Sequence, residues 1–212
     1  LNALIKRVIK EHKRIIFNGD GYADAWKAEA AKRGLTNLPT TVDALPHYTD
    51  EKNVKLFTKH KIYTEVEMQS RQDIILETYA KTINIEALTM LEMARKEILP
   101  AVAAYMDRTA KAILHTQKVL NSTCTAQTEL LQRLDAAYAG ISRCVTELQR
   151  QLDEEVVRSK DVYEVARIYR DGVLPVMDEL RAEADAVEAL LPTEYLSYPT
   201  YDRLLFGVDQ QS

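Results

Sequence analysis

Apolar residues recur at helical spacing along nearly the whole chain, and one stretch is denser than the rest. From Lys81 to Val102, positions Ile83, Ile85, Ala87, Leu88, Met90, Leu91, Ala94, Ile98 and Leu99 nearly encircle a helix. A helix apolar on more than one face is normally covered on more than one side. Residues 81–102 are therefore expected to be the central, most buried element. Aspartate at Leu88 or Leu91 is expected to unfold the fold. Pro100 lies inside this run, where it removes a backbone donor and crowds the preceding turn, which predicts a kink with the helix resuming beyond it.

Shorter patterns precede this stretch. Leu4, Ile5, Val8, Ile9, Ile15 and Ile16 mark one face of a helix over 2–16, with Lys and Arg opposite. Phe17-Asn-Gly-Asp-Gly-Tyr22 reads as a structural turn. A short helix over 23–33 carries the lone Trp26 and stops at Gly34. Thr41 is expected to cap a short helix Val42–Leu45, and residues 50–60 form another with Val54, Leu56 and Phe57 packing. Thr64-x-x-Glu67 is a capping box and opens the long helix, whose apolar period continues past Pro100 to about Leu120.

Two long helices follow. Leu131, Leu134, Tyr138, Ile141, Val145, Leu148, Leu152 and Val156 are spaced as a heptad seam on a helix over roughly 123–157. A last helix over about 160–191, with Ser159 as its cap, carries Val162, Ala166, Tyr169, Val173, Val176, Leu180, Ala184, Val187 and Leu190 or Leu191. Pro175 predicts a second kink. Short links make sequential helices antiparallel. The tail, with Tyr195, Tyr198, Tyr201, Leu204, Leu205 and Phe206, is expected to dock on the helices or on another domain. The fold class is all-α: short helices, then a long antiparallel bundle or coiled coil, then an irregular aromatic-rich tail. The boundaries read as 1–80, 81–191 and 192–212.

Composition agrees with a helical globular chain. It has 212 residues, 46% hydrophobic and 28% charged, with only six Gly and six Pro. A net charge of −4 offers no basic face for nucleic acid, and no apolar run reaches the length of a membrane span. Cys124 and Cys144 lie about 30 Å apart if one helix holds both, so they are expected to be reduced thiols. The start at Leu1, straight into an amphipathic helix, reads as the interior of a longer polypeptide.

Candidate chemistry is sparse. Glu86, Glu92 and Glu97 fall on different faces, and Glu154 and Glu155 read as solvated. Asp178, Glu179, Glu183 and Asp185 flank Arg181. His47 and His60 have no partner at metal-ligand spacing. No Glu-x-x-His pair suits a carboxylate-bridged metal. Catalytic, cofactor and metal residues are accordingly expected to be none.

Several stretches carry a resemblance. Lys13-Arg-Ile-Ile-Phe-Asn-Gly-Asp-Gly-Tyr22 with Glu29-Ala-Ala-Lys-Arg-Gly-Leu35 comes first, followed by Thr40-Thr-Val-Asp-Ala-Leu-Pro46. Lys81-Thr-Ile-Asn-Ile-Glu-Ala-Leu-Thr-Met90 to Ile98-Leu-Pro-Ala-Val102 follows, and Tyr198-Pro-Thr-Tyr-Asp-Arg-Leu-Leu-Phe206 closes the set. In this order they resemble the C-terminal region of type III glutamine synthetase. The turn departs in detail, reading Asn-Gly-Asp-Gly-Tyr-Ala where the family pattern is Asn-Gly-Asn-Gly-Tyr-Ser. The resemblance implies a cytoplasmic parent ligase that joins ammonia to glutamate with ATP and Mg or Mn. It implies catalytic motifs in an upstream domain and a ring-shaped homo-oligomer. This chain would then be a structural module without an active site of its own. Its partners would be that catalytic domain and neighbouring subunits, with no nucleic acid and no membrane. The alternative is a stand-alone coiled-coil scaffold or signalling bundle, which the coding sequence upstream of Leu1 would distinguish.

Overall fold

The computed structural model describes residues 1–156, 159, 161–199 and 201–206. Among the described residues the fold is all-α, without strands. The chain divides into two compact units, Leu1–Met68 and Gln69–Ser212.

In the first unit, α1 spans Asn2–Glu11 and a 3-10 turn follows at Lys13–Ile15. The apolar face of α1 is exposed, because Leu4, Ile5, Val8 and Ile9 all remain open to solvent. The Phe17–Tyr22 segment is a turn, with the Tyr22 N–H donating to Asp20 Oδ1 at 2.9 Å. Helix α2, Asp24–Lys32, ends where Gly34 adopts φ +69°, a conformation glycine takes without a steric penalty. Helix α3 is Thr41–Ala44. Its cap is Thr40 rather than Thr41: the Asp43 N–H donates to Thr40 Oγ1 at 3.1 Å and the Thr40 hydroxyl donates to Asp43 Oδ2 at 2.6 Å. Helix α4 is Glu51–Lys59. Phe57 lies between Tyr48 and Tyr63, with ring centroids 6.2 and 5.8 Å away, while Leu56 is exposed.

Helix α5, Glu65–Met93, begins on the expected capping box. The Thr64 N–H donates to Glu67 Oε2 at 2.7 Å, and the Glu67 N–H returns to Thr64 Oγ1 at 3.3 Å. In the second unit Ala80, Ile83, Ala87, Leu91, Ala94 and Ile98 enter the core. The opposite face does not. Ile85 is 65% exposed and Leu88 49%, whereas Leu91 is 3% exposed. The expectation that 81–102 is covered on more than one side is therefore corrected: one face is buried in the second unit and the other is exposed, as are Ile74 and Ile75 on the same helix.

Helix α6 is Leu99–Leu120 and α7 is Thr125–Arg150. Helix α7 packs against α6 on one side and against α9, Leu174–Glu188, on the other. Its buried stripe is Leu134, Ile141, Cys144, Val145 and Leu148, continued by Leu152 just beyond its end. Tyr138 leaves the expected seam for the surface, and Gly140 and Cys144 are buried on the inward side. Leu134, Ile141 and Leu148 are fully buried, each worth roughly 1.5–3 kcal/mol. Helix α8, Val162–Ile168, is capped by Asp161, whose Oδ1 accepts from the Glu164 N–H at 2.8 Å. Ser159 acts one step earlier, accepting from the Asp161 N–H at 3.2 Å. The expected ends of these helices at Val157 and Lys160 lie outside the described residues.

Both prolines follow a π turn. One spans Ala94–Ile98, where the Leu99 N–H reaches the Ala94 carbonyl, and the other Tyr169–Val173, where the Leu174 N–H reaches that of Tyr169. A wider turn relieves the clash a proline ring makes with the carbonyl four residues back. It also inserts one residue, which rotates the following face. Beyond the second π turn Met177 is buried, whereas Val176, on the expected seam, is only partly buried. A third π turn, Gln151–Glu155, ends α7.

Part of the tail docks in the second unit. Tyr195 packs on Tyr105 with centroids 5.3 Å apart, Glu194 pairs with Arg108, and the Ser197 hydroxyl donates to Glu97. Leu204, Leu205 and Phe206, on the short helix α10, Tyr201–Phe206, remain exposed. The side chain of Tyr201 lies outside the described residues.

Candidate functional site

The charged residues singled out from the sequence do not converge on one point. Glu92 pairs with Lys96 at 2.6 Å, which holds its carboxyl below the usual range, and Glu97 faces Ser197. Glu154 lies 3.5 Å from Arg150. Glu179 and Glu183 of α9 approach Arg143 of α7 at 2.8 and 3.7 Å, tying the two helices together. Asp185 pairs with Arg181 at 2.7 Å. His47 is exposed and lies 3.1 Å from Asp50, and His60 is exposed. No three His, Cys, Asp or Glu among the described residues are placed to hold a metal ion. Cys124 and Cys144 are free and buried, and burial pushes the Cys144 thiol up. No described helix is long and apolar enough to cross a membrane.

Two arrangements escaped the reading of the sequence. In the first unit, Phe17 stacks on Trp26 at 4.4 Å. Arg33 lies 5.6 Å from the Trp26 ring and 6.0 Å from that of Phe17. Its guanidinium donates to the Ile16 carbonyl at 2.7 Å and to Glu29 at 2.7 Å. This cluster anchors the glycine-containing turn to α2, and the aromatic pair flanking the turn was its only signal. In the second unit, a pocket of about 510 Å³ is lined by α5, the first π turn, α9 and the tail. Glu86 and Asp178, far apart in sequence, both line it. Tyr198 forms part of its wall. Burial, then the carboxylates of Glu188, Glu97 and Asp185, push the Tyr198 phenol up.

The remaining feature is exposed apolar surface. On α1 it comprises Leu4, Ile5, Val8 and Ile9, and on α5 it comprises Ile74, Ile75, Ile85 and Leu88. Between these α5 residues, Thr78 and Thr89 turn their hydroxyls back to the carbonyls of Ile74 and Ile85 at 2.7 and 2.8 Å. On α5 the exposed Lys81, paired with Glu77 at 2.8 Å, separates the two pairs, so the denser apolar surface is that of α1, and surface of that kind marks interaction sites.

Residues 1–117 match the family described as the glutamine synthetase C-terminal domain. The chain is 41% identical to a glutamine synthetase of Butyrivibrio fibrisolvens over 98% of its own length and 30% of that protein. It is 32% identical to a type-3 glutamine synthetase of Dictyostelium discoideum, over 97% of the chain and 28% of the relative. A glutamine synthetase of Bacteroides fragilis is 28% identical over 95% of the chain and 29% of its own length. The chain thus spans less than a third of the length of the curated relatives it matches. Residues 118–212, beyond the family match, are still aligned in these relatives. The chain belongs to the glutamine synthetase C-terminal domain family, as a C-terminal region of the type III kind.

Proposed function

We propose that this chain is the helical assembly module of a cytoplasmic type III glutamine synthetase. The parent enzyme ligates ammonia to glutamate with ATP and a divalent metal bound in an upstream catalytic domain. The module supplies no catalytic, nucleotide-binding or metal-binding residue. It contributes a short-helix region over 1–80, a long antiparallel bundle or coiled coil over 81–191 and a docking tail over 192–212. Its partners are the catalytic domain of its own polypeptide and neighbouring subunits of a ring-shaped homo-oligomer.

The observation that carries this reading is the exposed apolar face of α1. An amphipathic helix gains most of its stability from packing that face, and here the face is left for a cover. The relatives, about three times as long, supply a polypeptide large enough to provide one. Two measurements test the reading. The purified chain makes no glutamine from glutamate, ammonia and MgATP, and measurable turnover overturns its non-catalytic role. In the whole enzyme, Leu4→Gln with Ile9→Gln reduces the assembled mass seen by light scattering or lowers the thermal midpoint, and an unchanged oligomer with an unchanged midpoint refutes α1 as a docking face.

A further inference from the structure

We propose that the pocket lined by α5, the Ala94–Ile98 π turn and α9 binds a small organic cation, an ammonium or amidinium group carried on an apolar body. Its volume of about 510 Å³ suits a small molecule. All of its lining residues belong to the second unit. The space exists for a local reason: the π turn widens the helix at Ala94, and α9 presents the equally small Ala184 to the same space.

The floor is apolar and adaptable, with Met90, Met93 and Met177 supplying polarisable thioethers that conform to irregular ligands. The rim is acidic. Glu86 stands on α5, and Asp178, Asp185 and Glu188 stand on α9, against one guanidinium among the described lining residues, that of Arg181, which Asp185 holds at 2.7 Å. Glu86, Asp178 and Glu188 form no ion pair with a described residue. Burial first, and then the carboxylates of Glu188, Glu97 and Asp185, push the Tyr198 phenol up, which places two of the rim carboxylates near this wall.

This combination selects the ligand class by elimination. An anion meets four carboxylates. A neutral apolar molecule covers carboxylates without pairing them, which is unfavourable. A bare metal ion finds no converging set of three donors among the described residues. A cation with an apolar body satisfies both floor and rim, and Tyr198 adds an aromatic wall of the kind cations favour.

The test uses hexylammonium and hexanoate, which share an apolar chain and differ in charge, titrated by NMR against the 212-residue chain. Hexylammonium binds about tenfold more tightly than hexanoate, and Glu86→Gln/Asp178→Asn/Glu188→Gln erases the preference while the helical circular dichroism is unchanged. Ala184→Phe, which fills the pocket, abolishes binding of both. Should that variant fail to fold, the neutralised triple still decides, because its carboxylates lie outside the buried core. Equal binding of the two ions, no binding of hexylammonium, or a preference that survives neutralisation overturns the proposal.

Discussion

Among the described residues, the first unit buries only Ala30, Val42 and Met68 as hydrophobics, while the second carries a continuous core through α5, α6, α7, α8 and α9. Both units are written in the same alphabet of amphipathic helices. The difference lies in whether the opposite face is present. In the second unit the apolar stripe of α7 meets those of α6 and α9. In the first unit the stripe of α1 meets solvent. Short polar ties take on more of the local order there. Examples are the Arg33 cluster over Phe17 and Trp26 and the Thr40–Asp43 cap. A unit held by caps and one aromatic stack should open more readily than one held by a packed core.

Amide exchange puts this contrast at risk most directly: amides of α1 and α2 should exchange orders of magnitude faster than those of α7, and equal protection would mean that the first unit has stability its burial does not explain. A sharper version lies on α5 itself. Leu91→Asp places an unpaired charge in the core and should cost several kcal/mol, enough to unfold the second unit. Leu88→Asp, three residues away on the exposed face, should shift the thermal midpoint of the isolated chain little. A midpoint that falls equally for both would show that the exposed face of α5 is packed in solution.

Smaller effects follow. Thr64→Ala removes one arm of the capping box and should cost about 1 kcal/mol, measured in a denaturant titration. Tyr169→Phe removes the hydrogen bond that the Tyr169 hydroxyl donates to Asn84 Oδ1 at 2.9 Å and should cost roughly 0.5–1.5 kcal/mol. The least effect belongs to Glu147, whose carboxyl is lowered to about 2, by hydrogen bonds from Arg150 and then Gln151. A depressed carboxyl stabilises the fold above its unfolded value, near 4.5, and the contribution is lost as pH falls through its folded value. Glu147→Gln should therefore flatten the stability profile between about pH 4.5 and pH 2 and leave it otherwise alike. The pair is well solvated, so the change should stay within ~1 kcal/mol.

Much of this was legible in the chain because it depends on neighbours within one or two turns. The Thr64–Glu67 box, the stop at Gly34 and the period of α7 involve residues three or four apart, and local geometry brings such residues together in any helix. Small errors arose where two adjacent residues could serve one role, as with Thr40 for Thr41 and Asp161 for Ser159. The π turns were harder to see, yet a signal exists: Arg95-Lys-Glu-Ile-Leu-Pro100 and Arg170-Asp-Gly-Val-Leu-Pro175 share an Arg, a β-branched residue and a closing Leu-Pro at the same spacing, and the same π turn. The pocket was not legible at all, because Glu86 and Asp178 meet only after the helices pack.

By itself, then, the sequence determined the helical class, the approximate helix limits and the resemblance to type III glutamine synthetase. Each of these is a property of composition, period or local text. Only the tertiary structure decided which apolar face of α5 is buried, that Met177 rather than Val176 enters the core, and that carboxylates of α5 and α9 share one pocket. An apolar stripe states that a face needs a partner. Whether the partner lies within the same chain depends on how the helices pack in space, which no local pattern encodes.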